Sequence, residues 1–388
     1  MPSMKITRIS SVTLFALFLV SRLALLAAMP LDGLRGYGDF IHFFRLAGMG
    51  WPFLDYWVEF PPIFPFLSTI LYRLSGAQEH IYDYYLALLL SLCQAASLVV
   101  FDRLVIQGDQ DGIGRERTLA YFLLSSVLAY GWWYFDPLAV LAMLLGLYWL
   151  MRGKDTLTGA ALGIGTLVKL FPALALVSVW RYRPLRRSVW IGSITIGMVL
   201  TVYGGLYLLS PRMTFASIIS QASKGSWETI WALLDGNFHT GNFGQEIERY
   251  EPAQASLARG EPARVPPYLA LILFVALGFW VARRIMPASP QTPVVLYGFT
   301  LNLFFLWSPG WSPQWVQHLL PLILLSLPIR QASLFVSTLV LINLLEWPVL
   351  LSRGLNWGLW VTVPIRTLIL ILLAITWYRQ LNGRRSNP

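Results

Sequence analysis

Arg152 and Lys154 precede a long apolar stretch, Arg181, Arg183, Arg186 and Arg187 follow it, and a lone Lys169 interrupts it. No other feature of the chain restricts its fold so strongly. Stretches this apolar belong in a bilayer, where short loops rich in Lys and Arg stay on the cytoplasmic side, so both clusters should face the same way. A single helix from Thr156 to Trp180 would carry the second cluster across the membrane. Two short legs meeting near Lys169-Leu170-Phe171-Pro172 keep both clusters inside, and Pro172 suits the start of the second leg. Each leg has about a dozen residues, roughly 18 Å at 1.5 Å per residue, against a hydrocarbon core of about 30 Å. Lys169 should then mark an outer tip that dips into the membrane. A lysine there needs an anionic partner or must snorkel to the headgroups, and this residue alone leaves both readings open.

With 388 residues, 56% of them hydrophobic and 12% charged, the chain reads as an all-α polytopic membrane protein, a single domain over 1–388 with about twelve spans. The spans run from Ile9 to Met29, Tyr82 to Val105, Leu119 to Trp133, Pro137 to Met151, the two legs around Lys169, Val189 to Leu209, Pro267 to Ile285, Val294 to Trp307, Trp315 to Leu327, Leu334 to Leu351 and Val361 to Trp377. Both termini then lie in the cytoplasm, together with Arg103, Arg115, Arg117, Arg283, Arg284, Arg330, Arg379, Arg384 and Arg385. The net charge of +10 resides largely in these short loops, where it sets topology and does not argue for nucleic acid. Lys5 and Arg8 ahead of an apolar run resemble a signal peptide. That run continues through Arg22 without a small-x-small cleavage site, which favours an uncleaved first helix. A single cysteine, Cys93, excludes an internal disulfide and a cysteine metal site.

Two long polar segments remain, a first loop over 30–80 and a second over 210–266, both expected on the outer face. In the first, Phe40, Phe43, Phe44 and Ala47 recur at helical spacing, which predicts an amphipathic helix lying on the interface with Asp39 and His42 on its other side and Gly48 and Gly50 after its end. In the second, Ser226 reads as an N-cap, Trp227, Ile230, Trp231 and Leu234 as an apolar stripe, and Gly236 as a terminator. From Asn237 to Pro266 the density of Gly, Pro and charge suggests a mobile loop. No internal repeat is visible.

Several polar residues fall on this outer side. Asp39 opens the interfacial helix, where a carboxylate serves equally as a cap or as a general base for a hydroxyl. Glu59 is wedged among Tyr56-Trp57-Val58 and Phe60-Pro61-Pro62, and Asp136-Pro137 starts a span in the manner of an ordinary helix cap. Gln314 and His318, spaced i, i+4 after Ser312-Pro313, can point into one cavity. Glycines 159, 163 and 165 are best explained by close helix packing in lipid. No phosphate-binding glycine loop, HExxH or serine triad is present.

Gly38-Asp39-Phe40, Glu59-Phe60-Pro61-Pro62, Asp136-Pro137, Lys169-Leu170-Phe171-Pro172 and Ser312-Pro313-Gln314-Trp315 together resemble the GT-C superfamily of membrane glycosyltransferases. The similarity is to its prokaryotic mannosyltransferase-like branch and to the catalytic subunit of GPI mannosyltransferase I, and it spans nearly the whole chain. The resemblance implies a GT-C-like bundle with interfacial helices in the outer loops. It also implies a hexosyltransferase, of mannose in that branch, that takes its sugar from a polyprenyl-phosphate carrier and passes it to a glycan, glycolipid or protein hydroxyl. Asp39 would be the catalytic base of an inverting displacement. Glu59, Asp136, His42, Gln314 and His318 would line the substrate cavity, and Lys169 would face the carrier phosphate. The active site would open to the outside of the plasma (inner) membrane. The first-loop motif is Asp39-Phe40-Ile41-His42 without a paired second Asp, so the resemblance leaves a divalent metal open and implies no other cofactor. Two rival readings are a lipid-linked-sugar flippase and a non-catalytic subunit of a glycosyltransferase complex. The first would favour ionisable residues near the midplane and paired repeats, neither of which the sequence has.

Overall fold

The computed structural model describes residues 9–30, 32, 35–108, 114–128, 130–241, 244–285, 289 and 291–383. Lys5, Arg8, Arg384 and Arg385, which enter the topology argument, lie outside these residues. In chain order the helices are α1 (Ser11–Ala28), α2 (Phe40–Gly48), α3 (Ile63–Leu74), α4 (Glu79–Gly108), α5 (Gly114–Val127), α6 (Tyr130–Trp133), α7 (Asp136–Met151), α8 (Asp155–Val168), α9 (Leu176–Tyr182), α10 (Leu185–Leu209), α11 (Pro211–Ile219), α12 (Ile230–Asp235), α13 (Pro267–Arg284), α14 (Thr292–Trp307), α15 (Val316–Ser326), α16 (Ile329–Leu344) and α17 (Leu359–Gly383). Among the described residues the regular structure is helical, so the chain is an all-α polytopic membrane protein.

Among the described residues, six stretches are long and apolar enough to cross a bilayer: Ser11–Ala28, Glu79–Gly108, Leu185–Leu209, Pro267–Arg284, Ile329–Arg353 and Asn356–Asn382. Every backbone polar group in lipid must be satisfied within its own segment, which is why such stretches fold as helices. The stretch Ile329–Arg353 is broken at Trp347, whose backbone is non-helical (φ −134°, ψ 120°) ahead of Pro348. Shorter apolar helices include α7, α8 and α14. The core runs through them: Met143, Leu144 and Leu147 of α7, Leu162 of α8, and Leu296, Tyr297 and Leu301 of α14 are buried together. A helix that is apolar on all sides is stable only when wholly surrounded, which matches α7 and α14.

The hairpin forms as its charge pattern requires. α8 has 14 residues, roughly 21 Å of helix, and ends where Lys169 turns to an extended backbone (φ −159°, ψ 142°). Pro172 then lies in the first turn of a 3-10 helix, Phe171–Ala175, that leads into α9. A Cβ on Gly165 would lie 2.8 Å from the Pro172 ring, and one on Gly159 would lie 2.8 Å from Ile194 of α10. These glycines let the two legs and α10 approach closely, as expected for packing in lipid.

Basic residues gather at one end of the bundle. Arg183 donates to the carbonyl of Leu150 and pairs with Asp155 at 3.3 Å, Arg181 donates to the carbonyl of Ile285, and Arg117 donates to that of Leu327 at 2.8 Å. Gln291 reaches the carbonyl of Gly108 at 3.1 Å. Ends of α4, α7, α8, α9, α13 and α15 thus meet here. The opposite ends of α7, α8 and α15 carry Asp136, Lys169 and His318.

The two long loops differ from expectation in detail. α2 forms as the periodicity predicts, burying Phe40, Phe43, Leu46 and Ala47. In the second loop the helix starts later than expected, at Ile230, with Thr229 accepting from the Ala232 N–H at 3.2 Å as the N-cap and Gly236 (φ +94°) closing it. Ser226, expected as that cap, instead donates to Asp235 Oδ2 at 2.6 Å. Residues 246–256 are not an open loop but two 3-10 turns, Glu246–Tyr250 and Pro252–Ser256. Trp57 holds this strap in place: its backbone N–H donates to the Arg249 carbonyl at 3.0 Å and its indole N–H to that of Glu251 at 3.2 Å.

Candidate active site

Asp39 stands at the N-terminus of α2, but its side chain caps nothing. The turn before it is pinned from three directions. The Asp39 N–H donates to the Trp133 carbonyl at 3.0 Å, while the carbonyl of Tyr37 accepts from the Trp347 indole at 2.8 Å and the Tyr134 hydroxyl at 3.2 Å. Gly38 lies so close to Trp133 that a Cβ would fall 2.4 Å from the Trp133 Cβ. Gly38→Ala is therefore expected to push Asp39 out of register. A 1 Å misplacement of a reacting group costs about 10²-fold in rate, so turnover should fall by roughly that factor while ligand affinity changes little, as parallel transfer and binding measurements would record.

Lys169, at the hairpin tip, does not snorkel. Its Nζ lies 2.7 Å from Asp136 Oδ1, with the Lys169 side chain 14% exposed and that of Asp136 1%. The same oxygen contacts His318 Nε2 at 3.0 Å. Asp136 begins α7 with Pro137 behind it, as a cap would, yet its carboxylate turns away from the helix toward these two partners. The cation is ringed by aromatics: Nζ is 5.3 Å from the Phe171 centroid, 5.4 Å from Phe135 and 5.9 Å from Trp315. Asp136 Oδ2 and His318 Nδ1 are buried without a hydrogen-bond partner among the described residues, and so is Gln314 Oε1 in the turn leading into α15. Gln314 therefore sits near His318 in sequence but bonds to none of the other candidate residues.

Glu59 anchors a second cluster. Arg249 grips its carboxylate with both terminal nitrogens, Nη2 to Oε1 at 3.0 Å, and His42 Nε2 lies 3.4 Å from the same oxygen. His42 Nδ1 faces Glu246 at 3.3 Å, so strap, first loop and α2 are joined. Burial alone would raise the Glu59 carboxyl, but Arg249 and His42 outweigh it and hold it well below the usual carboxylate range. Burial also disfavours a charged His42, but the Glu59 hydrogen bond and charge prevail and raise its imidazole. Glu59 is thus an ion-pair partner and not a free base. A group with a depressed folded pKa stabilises fully above its unfolded pKa, about 4.3 for Glu, and loses that contribution only on acidification. The strap should accordingly stay latched at neutral pH. Removing one member of a buried pair costs about 3–5 kcal/mol. Arg249→Met is expected to lower the thermal midpoint and open residues 244–257 to protease, and Arg249→Met with Glu59→Gln should recover much of that loss.

Asp39 feels both clusters. Desolvation pushes its carboxyl up to about 6, the charges of His42 and Lys169 oppose this, and the carboxylates of Glu59 and Asp136 add to it. Four of the other six residues singled out by sequence thereby act on Asp39, and His318 joins them through Asp136. Sequence reasoning missed Arg249, Glu246 and Lys224, all in the second loop. No motif marks them, and the only signal was an arginine beside acidic residues in Glu246-Ile247-Glu248-Arg249. A divalent metal does not fit this arrangement. Asp136 and Glu59 already meet Lys169 and Arg249, and among the described residues no group of three His, Cys, Asp or Glu side chains is placed to hold an ion.

Buried carboxylates paired with cations beside one half-buried carboxyl whose affinity for protons is raised toward neutrality form a site suited to deprotonating a hydroxyl next to an anionic group. Residues 57–309, about two thirds of the chain, match glycosyltransferase family 87. The chain belongs to that family. No curated protein and no solved structure matches it. The part shared with family 87 holds Glu59, Asp136, Lys169, Lys224 and Arg249, whereas Asp39, His42, Gln314 and His318 lie beyond its limits. As a member of glycosyltransferase family 87 embedded in membrane, the protein acts on a sugar donor and an acceptor at a bilayer.

Proposed function

We propose that this glycosyltransferase moves a hexose, mannose in the branch it resembles, from a polyprenyl-phosphate carrier to an acceptor hydroxyl on the outer face of the plasma membrane. The basic ends of the helices would face the cytoplasm, with both chain termini, because Lys- and Arg-rich short loops are retained there. The site end would then open outward. Asp39 takes the proton of the acceptor hydroxyl, whose oxygen attacks the anomeric carbon. The bond from that carbon to the phosphate oxygen breaks on the opposite side, the configuration inverts, and the polyprenyl phosphate leaves with the electron pair. Lys169 offsets the charge that builds on the phosphate, which is where a fixed cation in a dry site contributes most to rate. Asp136 and His318 hold Lys169 in place.

The reading rests most heavily on one observation. Asp39 occupies a cap position without capping, its carboxyl is raised to about 6, and it feels the charge of Lys169 from across the site. The acceptor would be a glycan, glycolipid or protein. The test is transfer from a synthetic polyprenyl-phosphate mannose to a panel of acceptors by the protein in lipid nanodiscs, with analysis of the anomeric product. Retention of configuration would remove the direct-displacement mechanism. Transfer from a nucleotide sugar and not from the lipid donor would overturn the choice of donor.

A further inference from the structure

A second lysine shares the site. Lys224, in the second loop, is half-buried, and its backbone bridges to Arg259, with the Gly225 N–H donating to the Arg259 carbonyl at 2.9 Å. A Cβ on Gly225 would meet that carbonyl oxygen at 2.2 Å, so glycine is needed for the bridge to close. The Lys224 ammonium lies 5.0 Å from the Trp227 centroid. Trp227 lies flat on Gly310, where a Cβ would fall 2.2 Å from its ring, and the Trp227 carbonyl accepts from the Trp311 N–H at 3.0 Å. Trp311 packs on Trp315 with centroids 5.8 Å apart, and Trp315 is one of the rings around Lys169. Trp227, Gly310, Trp311 and Trp315 thus form a chain of contacts from Lys224 to Lys169.

The two ammonium groups also feel each other. Desolvation pulls Lys224 down to about 7, Glu59 resists, and Lys169 and Arg249 add to the decrease. Lys169 is already committed to Asp136. A phosphodiester that becomes a phosphate monoester on cleavage gains a negative charge, and a second ammonium near Lys169 adds to the positive charge that meets it.

We propose that Lys224 is a second cationic contact for the phosphate of the lipid-linked donor, linked to Lys169 through Trp227, Trp311 and Trp315. This rests on the reading of the donor given above. The full-length protein in nanodiscs would be titrated with a short-chain polyprenyl phosphate and, separately, with the corresponding polyprenol. Lys224→Met should weaken binding of the phosphate by roughly 10- to 100-fold, the scale of a charge-assisted contact, and leave polyprenol binding unchanged. Lys224→Arg should retain most of the affinity and controls for folding. Equal loss for phosphate and polyprenol would make Lys224 a packing residue and overturn the proposal. Unchanged affinity in Lys224→Met alongside a clear loss in Lys169→Met would overturn it too, leaving the donor reading intact. A wild-type protein that binds polyprenol and polyprenyl phosphate equally would sink both.

Discussion

Asp39→Asn is expected to lower sugar transfer by roughly 10²–10⁴-fold, the contribution usual for a positioned general base, without loss of donor binding. The substitution keeps the shape of the side chain and removes only its capacity to take a proton. Since Asp39 caps no backbone N–H, the fold loses little, and the thermal midpoint should stay close to that of the wild type. The pH profile adds a second readout. A base must be ionised to act, and the Asp39 carboxyl is raised to about 6 by desolvation, so kcat/KM should rise with pH and level off above about 6. The residual activity of Asp39→Asn should lack that rise. Near-normal turnover in this variant would take Asp39 out of the reaction altogether.

Lys169→Met should reduce turnover by about 10²–10³-fold, as loss of a single preorganised charge at a leaving group does elsewhere. It carries a second effect. Asp136 is buried against Lys169 and His318, and removal of the lysine leaves that carboxylate short of a counter-ion at a cost of about 3–5 kcal/mol. Lys169→Met with Asp136→Asn separates the two roles. The double variant should regain thermal stability while turnover stays low. Full recovery of both would reduce Lys169 to the counter-ion of Asp136, with no part in holding phosphate.

Much of the fold was legible because lipid makes the rules strict. A helix is the only way for an isolated apolar stretch to satisfy its backbone in a bilayer, and basic residues cannot be carried across cheaply, so the hairpin around Lys169 follows from charge placement alone. α2 was legible for a related reason, since one apolar stripe had to be buried. The start of α12 was misjudged because Ser226 and Thr229 are both acceptable N-caps by composition, and only the engagement of Ser226 by Asp235 leaves the role to Thr229. The strap over 246–256 was missed because Gly, Pro and charge read alike in a free loop and in one held by a partner far away in sequence.

Asp39, Glu59, Asp136 and Lys169 were each visible as residues of interest, but each also had an ordinary explanation as a cap or a snorkelling side chain. What decided between these was contact across long sequence separations: Lys169 with Asp136, His318 with Asp136, Arg249 with Glu59. The order and burial of the helices come from periodicity and charge, which act over a few residues and leave a mark in the local sequence. The pairing of the ionised groups comes from desolvation, which penalises a lone charge wherever packing has removed water, and only the tertiary structure determines which opposite charge is near enough to offset it.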